Sequence, residues 1–371
     1  MSCQPMDMGD PRIDATIAAC TRGLRALLAT RAADIFFYAA NGHGAWEAVI
    51  ENLLPPGGLA LVPGTGHFSE GWALQTEALG RRVHRTPWRE GHPIDVASVA
   101  QALRDDSARQ IVAVFAVHTD TASGVTSDMA ELRAAMDSTG HPALLVVDAV
   151  ASAGVEPLAM DALRANVVLG ASQKGLMCPP GLGWVAADAL AFAVQQRNPG
   201  PRFYWDWQRR SGALSYQKFC GTPPQNLMAG LEAALGLIEQ EGLAAVHARH
   251  ALLARAVQAA VAGWSEGGVL GFVCAVPAHR SAAVTAISVR SDSGLDVEAL
   301  RTLARERFQV AMAGGLGPWF GRAFRIGHLG DQNAANVLGA IAAVEAALRV
   351  MGVDVGGGGI HHAVRVLAET A

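Results

Sequence analysis

Two residues of complementary chemistry close successive apolar runs of this chain. Asp148 ends the run in Val146-Val147-Asp148-Ala149-Val150-Ala151-Ser152, and Lys174 ends Gly170-Ala171-Ser172-Gln173-Lys174, ahead of Cys178-Pro179-Pro180-Gly181. If both runs are strands of an open parallel sheet, the two side chains lie at strand carboxyl ends, which line the ligand crevice of such sheets. A carboxylate and an amine there match the needs of pyridoxal 5'-phosphate: lysine holds the aldehyde, and the anion keeps the pyridine nitrogen protonated. The protonated ring withdraws electrons from the substrate Cα, and the lysine, once displaced by substrate, can carry that carbon's proton as general base and acid. Desolvation beside a cationic cofactor is expected to lower its pKa.

The elements that must position these residues read as an α/β fold. Continuous apolar runs at 35–38, 59–62, 111–115, 144–147, 167–169 and 183–186 predict buried strands, while 45–53, 69–79, 96–103, 129–137 and 157–163 have helical spacing. Strands of that kind with helical crossovers indicate a mostly parallel central sheet with helices on both faces. After about Pro223 the pattern changes to long helices at 227–239 and 243–262, then strands at 269–276 and 284–289 and helices at 297–308 and 334–350. The expected division is an N-terminal segment (1–19), a large cofactor-binding domain (20–241) and a smaller α+β C-terminal domain (242–371).

Composition bounds the function. The chain has 371 residues, 51% apolar and 17% charged, with 29 basic and 33 acidic side chains and a net charge of −4. Such a chain can bury a large core, is not disordered, and gives no support to nucleic-acid binding. Five cysteines, Cys3, Cys20, Cys178, Cys220 and Cys274, are scattered, odd in number and form no CxxC pair, so a reduced, cytoplasmic setting without a metal site is expected. No apolar run nears the roughly 18 to 20 residues that span a bilayer, and no secretory signal is visible after Met1.

The order and wording of the segments resemble the fold-type I, class V aminotransferases, and most closely their alanine-glyoxylate and serine-glyoxylate branch, from about Asp10 onward. The resemblance implies that Lys174 is the Schiff-base lysine and that Asp148 pairs with the pyridinium nitrogen. Ala40-Asn41-Gly42-His43-Gly44-Ala45-Trp46-Glu47 stands where the family has its glycine-rich turn, and helix-start N–H groups there can bind phosphate. That implies Asn41, Gly42 and His43 as phosphate ligands; a dinucleotide fingerprint would need glycine where Glu47 stands. In Thr65-Gly66-His67-Phe68-Ser69, Phe68 is the expected stacking partner of the pyridine, with His67 as competitor. Thr121, in the polar turn 118–125, is implied to donate to the cofactor's phenolic oxygen, and Gln173 to join the phosphate site. Thr222 is implied to reach the phosphate of a neighbouring subunit, hence a homodimer. Phe219 holds the place of a family tyrosine, so either Tyr216 or water substitutes or phosphate binding is weaker. Arg325, in Phe324-Arg325-Ile326-Gly327-His328, is the implied fork for a substrate carboxylate; a structural ion pair is the alternative.

The activity implied is ping-pong transamination between a small amino acid, serine or alanine, and a 2-oxo acid, glyoxylate or pyruvate. Two alternatives keep the fold: a cysteine desulfurase or lyase, with Cys220 as its thiol, or a cofactor-binding protein without turnover. Family members begin with a further segment containing Gly-Pro-Gly-Pro, which lies over the active site. Here Met8-Gly9-Asp10-Pro11 stands where they have His-Arg-Ser-Pro, so either the start is truncated or the pocket is built differently.

Overall fold

The computed structural model describes residues 4–369; Cys3 and the outer ends of the first and last expected domains lie outside them. Seven strands form the central sheet: β1 (Asp34–Ala39), β2 (Leu59–Val62), β3 (Arg82–Arg85), β4 (Ile111–Val117), β5 (Leu144–Asp148), β6 (Val167–Ala171) and β7 (Leu182–Ala187). Their spatial order is β1-β7-β6-β5-β4-β2-β3, and β7 alone runs against the other six. β1 is therefore an edge strand with β7 as its partner, Asp34 opposite Ala187 and Ala39 opposite Leu182. Its outer edge is partly closed by Arg210, whose Nη1 donates to the Phe37 carbonyl at 2.8 Å.

Side chains alternate between two cores, as the strand pleat requires. Phe37, Leu61, Val114, Leu145, Val147 and Val168 face one; Phe36, Tyr38, Ala60, Phe115, Val146 and Leu169 face the other. The main helices are α1 (Pro11–Leu27), α2 (Gly42–Leu53), α3 (His67–Ala78), α4 (Val96–Asp105), α5 (Met129–Asp137), α6 (Gln225–Glu241) and α7 (Leu243–Ser265). Helices α2 and α3 fill the second core, and α1, α4, α5 and α6 the first. Asp10, Asn41, Asp95 and Asp128 each accept first-turn N–H groups at a helix start, satisfying donors that have no intrahelical partner.

A second, antiparallel sheet holds β8 (Leu270–Phe272), β9 (Val284–Val289), β10 (Ala313–Gly314) and β11 (Ala323–Gly327), in the order β8-β9-β11-β10. It packs with α7, α8 (Val297–Phe308), α9 (Ala334–Val350) and α10 (Ile360–Ala368) around Trp264, Ile287, Phe324 and Val344. Among the described residues no helix is long and apolar enough to cross a membrane.

Several elements depart from the sequence reading. The helix expected at 157–163 shrinks to Met160–Leu163, and the Met160 N–H at its start is drawn to the Leu28 carbonyl at 2.8 Å, a contact across the chain that local spacing does not reveal. The strand expected at 269–276 stops at Phe272, and Ala275 N–H turns away to the Gly91 carbonyl at 2.9 Å. Helix α1 was not anticipated, although Ile13, Ile17, Cys20 and Leu24 form its buried stripe. Nor was β3, whose Arg82-Val83-His84-Arg85 is polar because it lies at a sheet edge, where charge discourages further pairing.

Candidate active site

Strands β1, β2, β4, β5 and β6 all point one way, so whatever follows each of them converges on one edge of the sheet. Asn41, Gly42 and His43 follow β1, Phe68 follows β2, Thr121 follows β4, Asp148 ends β5, and Gln173 and Lys174 follow β6. These eight residues line a single cavity of about 200 Å³, together with Trp46, Thr119, Val150 and Ala151. Residues scattered over much of the chain are thus brought together by sheet direction alone.

Asp148 is 4% exposed. Its Oδ1 accepts the Val150 N–H at 2.7 Å and its Oδ2 the Trp46 Nε1–H at 2.9 Å. Burial pushes its pKa up to about 6, against those two donors. Lys174 lies in the turn after β6, which closes where Cys178 N–H meets the Ser172 carbonyl at 3.0 Å. Gly175 lets that turn press onto the loop after Asp148: a Cβ there would lie 2.3 Å from the Ala153 carbonyl oxygen. The Lys174 amine makes no ion pair among the described residues. Burial lowers its pKa, the nearby Arg325 charge lowers it further, and Asp148 opposes both.

At the start of α2, Asn41 Oδ1 accepts the N–H groups of His43 (3.1 Å) and Gly44 (3.4 Å). The Gly42 N–H has no intrahelical partner, and Asn41 and Gly42 both line the cavity. Burial lowers the pKa of His43, with the His67 charge adding to the effect. Phe68 lines the cavity; His67 does not, and its ring meets that of Phe68 edge-on at 5.1 Å. Asp120 fixes this turn, its Oδ2 accepting the Phe68 N–H at 3.1 Å and the Thr65 hydroxyl at 3.3 Å.

Arg325, on β11, reaches the cavity's edge rather than its wall. Its Nε donates to the Gly314 carbonyl and its Nη1 to the Thr121 carbonyl, both at 2.8 Å. Among the described residues no carboxylate forms an ion pair with it, so the structural ion pair weighed as its alternative does not form. Burial lowers its pKa, opposed by the charge of Asp120. A half-buried guanidinium without an acid is a ready site for an incoming carboxylate.

Thr222 stands apart from the cavity, exposed, with its Oγ1 3.6 Å from the Met8 Sδ. Tyr216 is also exposed, whereas Phe219 is buried and stacked on Phe37 at 6.3 Å. Cys220 is half-buried against the Phe203 carbonyl and does not line the cavity. The residues that sequence reasoning missed are Trp46, Thr119 and Asp120. Trp46 carried one weak signal, an aromatic one turn into the helix that opens at Gly42; its bond to Asp148 depends on long-range folding.

The cavity fits pyridoxal 5'-phosphate. It offers an amine, a buried carboxylate and helix-start donors, and the Gln173 Oε1 is buried without a partner. An amide so placed can turn its NH2 toward a phosphate oxygen. Comparison with known proteins points the same way. The family described as aminotransferase class-V matches residues 11–319. A serine–glyoxylate aminotransferase of Methylorubrum extorquens is 37% identical over 343 residues, covering 90% of this chain and 83% of its own. An L-aspartate–glyoxylate aminotransferase of Paracoccus denitrificans is 35% identical over 353 residues, covering 94% and 87%. The crystal structure of a pyridoxamine–pyruvate aminotransferase from Mesorhizobium loti superposes with a TM-score of 0.88 at 26% identity, over 100% of this chain and 93% of that one.

Proposed function

Because this chain belongs to the class-V aminotransferase family, and is therefore a pyridoxal-phosphate-dependent aminotransferase, we propose that it moves an amino group from serine or alanine to glyoxylate or pyruvate. Amino donor and oxo acid would use the same cavity in turn, in two half-reactions of a ping-pong cycle. The observation that carries the reading is the pair of half-buried basic side chains, Lys174 and Arg325, neither with an acid partner among the described residues, set near the buried Asp148. The names of the relatives support the choice of small amino acids and glyoxylate.

When bound, pyridoxal phosphate supplies an electron sink for the charge left at the substrate Cα. Lys174 would hold its aldehyde between turnovers. Asp148, fixed by Trp46 and the Val150 N–H, would hold the pyridine nitrogen in its protonated form. Phe68 would form one wall, Thr121 would donate to the phenolic oxygen, and Asn41, Gly42, His43 and Gln173 would hold the phosphate. Displaced by substrate, the Lys174 Nζ would take the Cα proton and return it at the other end of the shift, a task suited to an amine whose pKa is lowered. Arg325 would fix the substrate carboxylate, which aims the Cα–H bond at Lys174. A homodimer is part of the proposal, supported by the exposure of Thr222 beside exposed Tyr216 and Leu214, as is a cytoplasmic setting, supported by the scattered cysteines.

The test is a panel of amino donors added to the purified holoenzyme, with release of each oxo acid measured before any acceptor is added. Serine or alanine should react stoichiometrically with bound cofactor, and glyoxylate or pyruvate should reverse the change. Lys174→Ala should abolish it, and borohydride should then no longer fix cofactor mass on the chain. Oxo-acid release that survives in Lys174→Ala refutes the assignment, and sulfide release from cysteine in place of transamination would move the chain to desulfurase chemistry.

A further inference from the structure

Glu156 has no part in the chemistry above, yet it ties together the two sides of the substrate site. Its carboxylate is 7% exposed and accepts hydrogen bonds from separate stretches of chain. Oε1 receives the Ala282 N–H at 2.6 Å and the Ser281 hydroxyl at 2.9 Å. Oε2 receives the Thr119 hydroxyl at 2.7 Å, and the Thr126 hydroxyl lies 3.0 Å from both oxygens. Thr119 and Thr126 face each other across a short hairpin, whose turn contains Thr121. Ser281 and Ala282 lead directly into β9.

The hairpin is seated on β9 as closely as backbone permits. Gly124, with φ +69, would place a Cβ 3.1 Å from the Val284 carbonyl oxygen and the Ala286 nitrogen, and its own carbonyl accepts the Ser281 N–H at 2.9 Å. From the other side, the Ala282 carbonyl lies 2.8 Å from His328 Nδ1, and His328 Nε2 lies 3.0 Å from the Thr285 hydroxyl. Burial holds His328 neutral, so Nδ1 carries the proton toward the carbonyl and Nε2 accepts. His328 stands just past β11, the strand of Arg325. A continuous path thus runs from Glu156 through the Ala282 peptide and His328 to β11, while Arg325 itself closes the circuit on the Thr121 carbonyl.

We propose that Glu156 is a positioning residue for the substrate carboxylate: by gathering the 119–126 hairpin and the Ser281-Ala282 entry to β9 onto one carboxylate, it keeps the Arg325 guanidinium in register with the cavity. The proposal rests on Arg325 as the ligand of that carboxylate. A buried carboxylate whose acceptor positions are filled from separate segments favours the arrangement in which all of them meet. When it is weakened, the docked arrangement becomes a fraction of the population, and apparent affinity falls by that fraction. Saturating substrate pulls the enzyme back into the docked form, so kcat is spared. Amino donor and oxo acid both present a carboxylate to Arg325, so both KM values rise by the same factor.

Steady-state kinetics of the holoenzyme test this, with glyoxylate and whichever amino donor of the panel turns over fastest. Glu156→Gln should raise both KM values about tenfold, corresponding to a docked fraction of about one-tenth, with kcat within about twofold. Ser281→Ala and Thr126→Val, which each remove one hydroxyl and keep the charge, should move both KM values in the same direction by about threefold, and they carry the test if Glu156→Gln does not fold. In an Arg325→Ala background Glu156→Gln should add no further rise, since coupled residues are not additive. A fall in melting temperature with unchanged KM, a loss confined to kcat, or additive effects in the double variant would each overturn the proposal. If Arg325→Ala alone leaves KM unchanged, the premise about Arg325 fails; if it raises KM while Glu156→Gln and Ser281→Ala do not, this proposal alone fails.

Discussion

Asp148 destabilises the cofactor-free protein, and its surroundings give the size of the effect. Burial lifts its pKa from the ordinary 3.8 to about 6, with Asp120 adding to the rise and the Val150 N–H, the Trp46 indole and Lys174 opposing it. A carboxyl whose folded pKa lies above its unfolded one binds its proton more tightly when folded. Stability is therefore lost as pH rises from about 4 to about 6, and stays lost above that. About two units at 1.36 kcal/mol each make about 3 kcal/mol. Asp148→Asn keeps the shape and removes the charge. One of the two donors then faces an amide NH2 in place of an oxygen, a cost of about 1 kcal/mol that does not vary with pH. The measurement is consequently a slope: stripped of cofactor, Asp148→Asn should gain about 3 kcal/mol on the parent between pH 4 and pH 7 in urea denaturation. With cofactor present the order should reverse, because a cationic ring nitrogen restores the worth of the carboxylate. Parallel stability curves for the two stripped proteins from pH 4 to pH 7 would refute the reasoning.

Two further outcomes concern buried carboxylates and the donors that hold them. Trp46→Phe keeps a ring stacked on Trp72, now at 5.4 Å and 8°, and removes the Nε1–H from Asp148; in the same denaturation series the stripped protein's loss of stability should still begin near pH 4 but extend to higher pH and become larger. Glu345 is subject to a burial effect that would raise its pKa, but the Trp264 indole, the Gly359 and Ile360 N–H groups and Arg349 outweigh it and bring it to about 2. Glu345→Gln should cost about 1 to 3 kcal/mol at pH 7, and the deficit should shrink as pH falls from about 4.5 toward 2, where the parent's own carboxylate takes up its proton.

Much of the site was legible in the sequence because the residues that touch a cofactor in this fold follow strands, and strands that are buried on both faces announce themselves as unbroken apolar runs. Asp148, Lys174 and the turn at Asn41 could each be set at the end of such a run without knowing the sheet order. Phe68 could be preferred to His67, but the reason it lines the cavity, the Asp120 carboxylate holding its N–H, depends on a contact across 52 positions of chain. Trp46 and Glu156 were illegible for the same cause: each acts through a partner far away in sequence, and neither sits in a local pattern that demands it. The polar edge strand β3 was missed since a strand with one face and one edge in water lacks the apolar run that marked the others. Phe219 was read as a lost hydrogen-bond donor; its burial against Phe37 gives it a packing role of its own.

The pairing of β1 with β7 has a consequence for the making of the protein. Phe36, Phe37 and Tyr38 leave the ribosome long before β7, yet the ladder that receives β1 ends at Ala187, and the guanidinium on its other side, Arg210, comes later still. Until then an apolar strand has an open edge, the kind of surface that templates pairing between chains. Closing so long a loop is slow, because chain entropy must be given up before the contact rewards it. The seven-stranded sheet is thus completed when its last-made strand pairs back with its first, and a nascent chain stalled short of β7 holds an unpaired strand for as long as the stall lasts.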